Sequence, residues 1–164
     1  VPTLSPSMDI QIPSNFERLL FEMRQRDGSK VKNTLAEFRR SGELTILPAE
    51  LTEIQKKWSS ARIDDDRTLR TIAEIYKETG ELVDPHTAVG IAAGKEKRSS
   101  EQIPLVCLGT AHPGKFPEAV IKATGKKPEL QNQVHDLYER TEHYSVLPND
   151  YDIVKSHIEK AVQG

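Results

Sequence analysis

The sequence has 164 residues, of which 36% are hydrophobic and 29% charged, and its formal net charge at pH 7 is -2. These values predict a soluble globular chain that buries a core. The mixed charges exclude the basic field that binding to nucleic acid or an anionic membrane requires, and no apolar run approaches the roughly 20 residues that cross a bilayer.

The amino-terminal residues indicate whether the chain is part of a longer protein, and the cysteine content indicates its cellular compartment. The first ten residues, VPTLSPSMDI, are punctuated by proline and serine and begin without methionine, so we expect them to continue a longer sequence. The single cysteine, Cys107, lies in an apolar run and has no partner for a disulfide. Because no secretory leader is present either, we expect a cytoplasmic protein.

The first predicted helix covers about residues 15–26, where apolar side chains recur at helical spacing. Ser14 and Glu17 have the spacing of a capping box, in which each side chain binds the backbone amide beside the other. Asp27 and Gly28 are expected to stop the helix.

Three helices with charged faces are predicted next. Ser29 is expected to cap the second helix and Gly42 to end it. The third helix is predicted within residues 48–58. The acidic residues 64–66 favour the amino end of a fourth helix, because the helix dipole attracts negative charge there, and Gly80 is its expected end.

The fifth predicted helix, in the stretch DPHTAVGIAAGKEK, is apolar on nearly all sides. Asp84 can cap it and Pro85 suits the first helical position. Residues 88–93 are all small or apolar. Such a helix is expected to pack deeply against a sheet or another helix.

One segment, residues 103–108, predicts a strand buried on both faces, because it is an unbroken apolar run. Residues 44–47 and 144–147 are weaker strand candidates. Three helices are expected near residues 117–124, 128–140 and 150–162. The pattern indicates a helix-rich α/β domain whose parallel sheet is completed by strands that precede residue 1, since a buried strand needs neighbours for its amides and carbonyls.

The loop after the predicted strand, residues 109–115, contains polar side chains that could bind a ligand. Ligands of open α/β sheets bind beyond the carboxyl ends of the strands. Thr110 offers a hydroxyl there and His112 an imidazole, and the glycines and prolines allow the backbone to approach a ligand closely. From spacing alone, an ordinary strand-to-helix loop with a capping hydroxyl explains the pattern equally well.

Three motifs in this order carry a resemblance to a known family: TLSPSMDIQIPSNFERLLFE, DPHTAVG and LGTAHPGKFPEAV. Together they resemble the carboxy-terminal part of threonine synthase, a pyridoxal-phosphate (PLP) enzyme of the tryptophan synthase β-subunit type, fold type II. The resemblance covers almost the whole chain. It implies a lyase that converts O-phospho-L-homoserine and water into L-threonine and phosphate.

The resemblance implies that Thr110, Ala111 and His112 bind the cofactor. In the family, a hydroxyl after the last core strand meets the ring nitrogen of PLP, and Thr110 occupies the matching position. Unlike a carboxylate, a neutral hydroxyl does not stabilise a protonated ring nitrogen, which biases the chemistry toward elimination and replacement. A structural role explains His112 more simply. His86 and Thr87 are further candidates to line the pocket, although capping and packing explain most of the motif DPHTAVG.

The expected substrate-binding residues are Ser14, Asn15, Arg18 and Lys115. The first three lie at a helix amino terminus, which the resemblance places on the substrate side, and would bind the phosphate or carboxylate of the substrate. The competing explanation is structural, because a capping box accounts for Ser14, while solvation or an ion pair accounts for Arg18. A lysine beside a helix start, such as Lys115, is commonly solvated.

The family's reactive lysine and its glycine-rich cradle for the PLP phosphate belong to motifs that precede this region. Neither is found in the sequence, so we expect no catalytic residue in the chain and no activity without the upstream part of the same enzyme. The histidines lack metal-ligand spacing, so no metal is predicted. Residues 1–28 are expected to form a substrate-side loop and first helix, residues 29–80 a helical insertion or outer layer, and residues 81–164 the end of the large PLP-binding domain with the carboxy-terminal helices.

Two alternatives to this function stay open. One is a related PLP-dependent dehydratase that acts on serine or threonine. The other is a non-catalytic interaction domain, in which the charged helices of residues 29–80 bind a protein partner.

Overall fold

The computed structural model describes residues 2–163, and for Gln133 it describes the backbone alone. The described part of the chain contains seven α-helices: α1 Ser14–Met23, α2 Gly28–Ser41, α3 Pro48–Gln55, α4 Asp65–Thr79, α5 Pro85–Lys97, α6 Pro117–Thr124 and α7 Tyr151–Gln163. Three short 3₁₀-helices cover Pro6–Met8, Pro113–Lys115 and Asn132–Val134. The chain divides into two compact units, one ending at Glu129 and the other beginning at Leu130.

The predicted α/β fold class is wrong, because residues 2–163 contain no β-strand and therefore no parallel sheet. The three strand candidates, residues 44–47, 103–108 and 144–147, are irregular. In the best of them, the side chains of Val106 and Leu108 are 81% and 77% exposed. An apolar run forms a strand only when a neighbouring strand pairs with its amides and carbonyls, and the described residues provide no such neighbour.

The core of the first unit lies where α4 packs against α5 and α6. Its buried apolar side chains are those of Ile72, Ala88, Val89, Ala92, Ala119 and Val120. The prediction that α5 packs deeply is confirmed for its start alone, since Pro85 to Val89 are all buried, whereas Gly90 and the last turn of the helix are exposed. Small side chains on α5 allow this close packing.

Most helix ends follow the predicted local chemistry. Gly42 and Gly80 end α2 and α4 in the left-handed conformation, with φ of 76° and 77°. Asp84 caps α5 and Pro85 is its first residue. The bounds of α6 agree with the predicted residues 117–124. Of the helices described in residues 2–163, none combines the length and the apolar character needed to cross a membrane.

Four predictions of local structure are wrong. The capping box does not form, because Pro13 is the N-cap and Ser14 is already inside α1. The cap of α2 is Asp27 instead of Ser29: its carboxylate accepts from Ser29 N and Lys30 N at 3.0 and 3.1 Å, and Gly28 begins α2 instead of ending α1. The helix expected in residues 128–140 is limited to the 3₁₀-turn Asn132–Val134.

Arg24 joins the first three helices. Its Nε donates to Glu50 Oε1 of α3 at 3.0 Å, and its Nη1 donates to Thr34 Oγ1 and to the carbonyl oxygen of Lys30 in α2. The Arg24 and Glu50 side chains are only 12% and 16% exposed. The ion pair is therefore poorly screened by solvent and holds α3 to the junction of α1 and α2.

The Arg24 hydrogen bond lowers the pKa of the Glu50 carboxyl below its ordinary value, outweighing the opposite effect of burial. A carboxyl with a lowered pKa stabilises the fold above its unfolded pKa, and this contribution is lost as pH falls through the folded pKa. We expect Glu50→Gln to lower the free energy of unfolding at pH 7 by about 1 kcal/mol. Urea titrations at several pH values should show this difference shrinking at acidic pH.

Glu53→Gln is the matched control, because Glu53 pairs with Lys56 on the exposed surface of the same helix. It should change stability little at any pH. If Glu50→Gln lowers the free energy of unfolding as much at acidic pH as at pH 7, the stabilisation does not come from the charge of the Glu50 carboxylate.

Candidate functional site

Asp84 is the centre of the candidate site. It is fully buried, and its carboxylate accepts four hydrogen bonds from His86 and Thr87. Oδ1 accepts from the backbone N of His86 at 2.9 Å and from its Nδ1 at 2.8 Å. Oδ2 accepts from the backbone N of Thr87 at 3.3 Å and from its Oγ1. A buried carboxylate requires such donors, so Asp84 orients both neighbouring side chains.

His86 connects the amino-terminal segment to the loop before α6. Its Nε2 accepts from the backbone N of Ser7 at 3.2 Å. Because Nε2 accepts and Nδ1 faces the Asp84 carboxylate, the hydrogen bonds assign the proton to Nδ1. The imidazole also lies 4.6 Å from the ring of Phe116, centroid to centroid, at an angle of 60°. One buried ring therefore contacts two separate stretches of the chain.

Thr87 holds the start of the loop. Its Oγ1 accepts from the backbone N of Thr110 at 3.0 Å. The residue Thr110 itself is exposed, and within residues 2–163 no hydrogen bond uses its hydroxyl. The three sequence motifs thus meet at Asp84, His86 and Thr87, and they leave the Thr110 hydroxyl available for a ligand.

The other predicted loop residues have different surroundings. His112 Nδ1 accepts from the backbone N of Gly114 at 3.1 Å and so caps the short helix Pro113–Lys115. Ala111 is half-buried, and Lys115 is exposed at the edge of a hollow formed with Thr3 and Leu4. This local hydrogen bond accounts for one ring nitrogen of His112 in structural terms.

A second feature is a cleft of about 500 Å³ between α1 and α2. Its polar lining consists of Ser14, the cations Arg18, Lys32 and Arg39, and one carboxylate, that of Glu17. Asn15 Oδ1 accepts from Arg18 Nη1 at 2.8 Å. The structure thus brings together three of the four predicted substrate-binding residues. Lys115 is not among the residues that line this cleft.

Several residues of these two features were missed by sequence reasoning: Ser7, Phe116, Lys32 and Arg39. The cations recur seven residues apart on α2, which is a signal for one helix face. The sequence does not reveal that the backbone amides of Ser7 and Thr110 are the donors here, because every residue except proline has a backbone N–H.

Asp84→Ala should lower the free energy of unfolding by about 3 kcal/mol, because it removes a helix cap and leaves buried donors of His86 and Thr87 without an acceptor. Asp64→Ala is the control, since Asp64 caps α4 on the exposed surface with one bond from Arg67 N at 2.8 Å. That change should cost about 1 kcal/mol. Chemical denaturation measures both, and equal losses would contradict the special role of the buried carboxylate.

Comparisons with known proteins agree with the resemblance of the three motifs. Residues 87–158 match the family described as threonine synthase, C-terminal. The threonine synthase of Pseudomonas aeruginosa is 49% identical over 158 residues, which cover 96% of this chain and 34% of that protein.

Two solved structures are similar in fold. The crystal structure of PLP-bound threonine synthase from Brucella melitensis has a TM-score of 0.81 and 41% identity, covering 100% of this chain and 35% of that one. Threonine synthase from yeast has a TM-score of 0.76 and 29% identity, covering 99% of this chain and 37% of that one. This chain spans about a third of the length of the relatives it matches. By sequence and by fold, this chain is similar to a carboxy-terminal region of threonine synthases.

Proposed function

We propose that this chain forms part of the active site of a threonine synthase that converts O-phospho-L-homoserine and water into L-threonine and phosphate. The observation that carries the proposal is the exposed, uncommitted hydroxyl of Thr110 on a backbone anchored by Thr87. The similar enzyme from Brucella melitensis binds PLP, and we infer that PLP is also the cofactor here.

The residues of the loop fit a PLP ring. Residues 109–116 contain no carboxylate, and their polar side chains are those of Thr110, His112 and Lys115. One ring nitrogen of His112 is engaged by Gly114, whereas Thr110 can donate through its hydroxyl to an unprotonated ring nitrogen. Bound PLP supplies an electron-withdrawing ring that stabilises negative charge next to it. The neutral Thr110 hydroxyl would keep this withdrawal moderate, while Ala111 and His112 would border the ring.

We assign binding of the anionic groups of the substrate to Ser14, Asn15, Arg18 and Lys115. The support for the first three is the cleft between α1 and α2, in which Arg18 stands near Lys32 and Arg39. Asn15 restrains the Arg18 guanidinium, which lowers the entropy lost when arginine pairs with a phosphate or carboxylate. Lys115, on a different loop, would provide a further cation.

The rest of the reaction depends on protein beyond this chain. We propose that the reactive lysine and the cradle for the PLP phosphate belong to the remaining part of the enzyme, which makes that part the partner of this region. The single cysteine, which excludes a disulfide within the chain, supports a cytoplasmic location.

Thr110→Val in the full-length enzyme tests the cofactor role. The change preserves shape and removes the hydroxyl, so we expect turnover to fall at least about tenfold and the PLP absorption spectrum to shift. Thr110→Ser retains the hydroxyl and should remain close to wild type. Phosphate release from O-phospho-L-homoserine measures turnover, and ammonia release from serine or threonine would instead indicate a dehydratase. Unchanged spectrum and turnover in Thr110→Val would refute the assignment.

Arg18→Gln tests the anion site in the same enzyme. Loss of a charged hydrogen bond to the substrate should raise KM for O-phospho-L-homoserine about tenfold or more. Arg40→Gln is the control, because Arg40 pairs with Glu37 on the exposed face of α2 and does not line the cleft. Equal KM values for the two variants would remove Arg18 from the site.

A further inference from the structure

We propose that Thr87 is a positioning residue for the cofactor, which acts through Thr110 without touching PLP. By accepting the backbone hydrogen bond of Thr110, it sets the place from which the Thr110 hydroxyl meets the ring nitrogen. This inference rests on the proposed role of Thr110 and adds to that site a residue that sequence reasoning explained by capping and packing.

The Thr87 hydroxyl has a fixed direction. It donates its one proton to Asp84 Oδ2, so its lone pairs are left to accept from Thr110 N at 3.0 Å. Thr87 is 7% exposed and Asp84 is fully buried, so the bond to Asp84 is shielded from water, and the bond to Thr110 N is partly buried. A hydroxyl that donates to a carboxylate is also a stronger acceptor, because consecutive hydrogen bonds polarise one another.

The backbone around Thr110 has little other support. Residues 103–110 are irregular, and within residues 104–111 the Thr110 amide makes the one hydrogen bond to other described residues. Packing adds a contact on one side, since Leu105 lies so close to Gly94 that a Cβ there would be 3.2 Å from Leu105 Cδ2. The position of the Thr110 hydroxyl therefore depends strongly on Thr87.

This arrangement lowers the cost of binding a cofactor. A hydroxyl on an unrestrained loop must lose conformational freedom when it meets a ligand, and a loop already held by a partly buried hydrogen bond loses less. Removal of the Thr87 hydroxyl should therefore weaken PLP binding, but only while Thr110 retains the hydroxyl that makes the contact.

The first experiment measures amide hydrogen exchange at Thr110 in the full-length enzyme without PLP. Thr87→Val retains the volume of threonine and removes the acceptor, so exchange should become about tenfold faster or more. Thr87→Ser retains the hydroxyl and should restore protection. Thr71→Val is the control, because the buried Thr71 hydroxyl bonds within α4, to the carbonyl oxygen of Arg67 at 2.8 Å.

The second experiment titrates PLP and records its absorption spectrum in Thr87→Val, Thr110→Val and the double variant. Thr87→Val should raise the Kd for PLP about 3- to 10-fold, with Thr87→Ser and Thr71→Val close to wild type. In the Thr110→Val background, Thr87→Val should weaken binding no further. If Thr87→Val does not fold, Thr87→Cys, whose thiol is a weak hydrogen-bonding group, should give a smaller change in the same direction.

Two results would overturn the inference while the proposed function stands: Thr110→Val weakens PLP binding but Thr87→Val does not, or Thr87→Val weakens it equally in both backgrounds. If Thr110→Val leaves PLP affinity and spectrum unchanged, the cofactor role of Thr110 and the inference both fail. Hydrogen exchange would still report whether Thr87 anchors the loop.

Discussion

The candidate site depends on one buried carboxylate. Asp84 has no exposed surface, and all four of its donors come from the turn that it caps. Because an unpaired carboxylate is costly to bury, the hydrogen bonds to Asp84 restrict the rotamers of His86 and Thr87. The His86 side chain accepts a hydrogen bond from the backbone amide of Ser7, and the Thr87 side chain accepts one from the backbone amide of Thr110. A local helix cap thereby becomes a junction of three distant motifs.

The helices around this junction provide a rigid support. Small residues let α5 lie close to its neighbours in the core that it forms with α4 and α6, and the first turn of α5, which holds the junction, is buried in that core. Near α1, the Arg24–Glu50 ion pair has a comparable role, because the Arg24 guanidinium, at the end of α1, donates hydrogen bonds to residues of both α2 and α3. In both places a charged group is largely removed from water and satisfied by hydrogen bonds.

The chemistry that we propose for this region suits residues on loops and helix ends. A neutral hydroxyl at Thr110 and the cations along the cleft between α1 and α2 differ in kind: the first would tune a cofactor ring, and the second would bind the anionic groups of a substrate. Neither group carries out a bond-breaking step by itself. Such a division agrees with the observation that the chain spans about a third of the length of its relatives. We propose that the chain contributes binding and orientation to a larger active site.

Local chemistry in the sequence determined most helices and many of their ends, because glycine at Gly42 and Gly80 and aspartate at Asp84 act on backbone groups within a few residues. The three motifs also indicated the similarity to threonine synthases. The strand expected at residues 103–108 could not be judged in this way, because strand formation depends on a distant partner for the backbone. The bond from Thr110 N to Thr87 Oγ1 was equally hidden, since 23 residues separate the two. Only the tertiary structure determined which backbone amide donates to the Thr87 hydroxyl, because the sequence does not indicate the hydrogen-bond partner of a backbone amide.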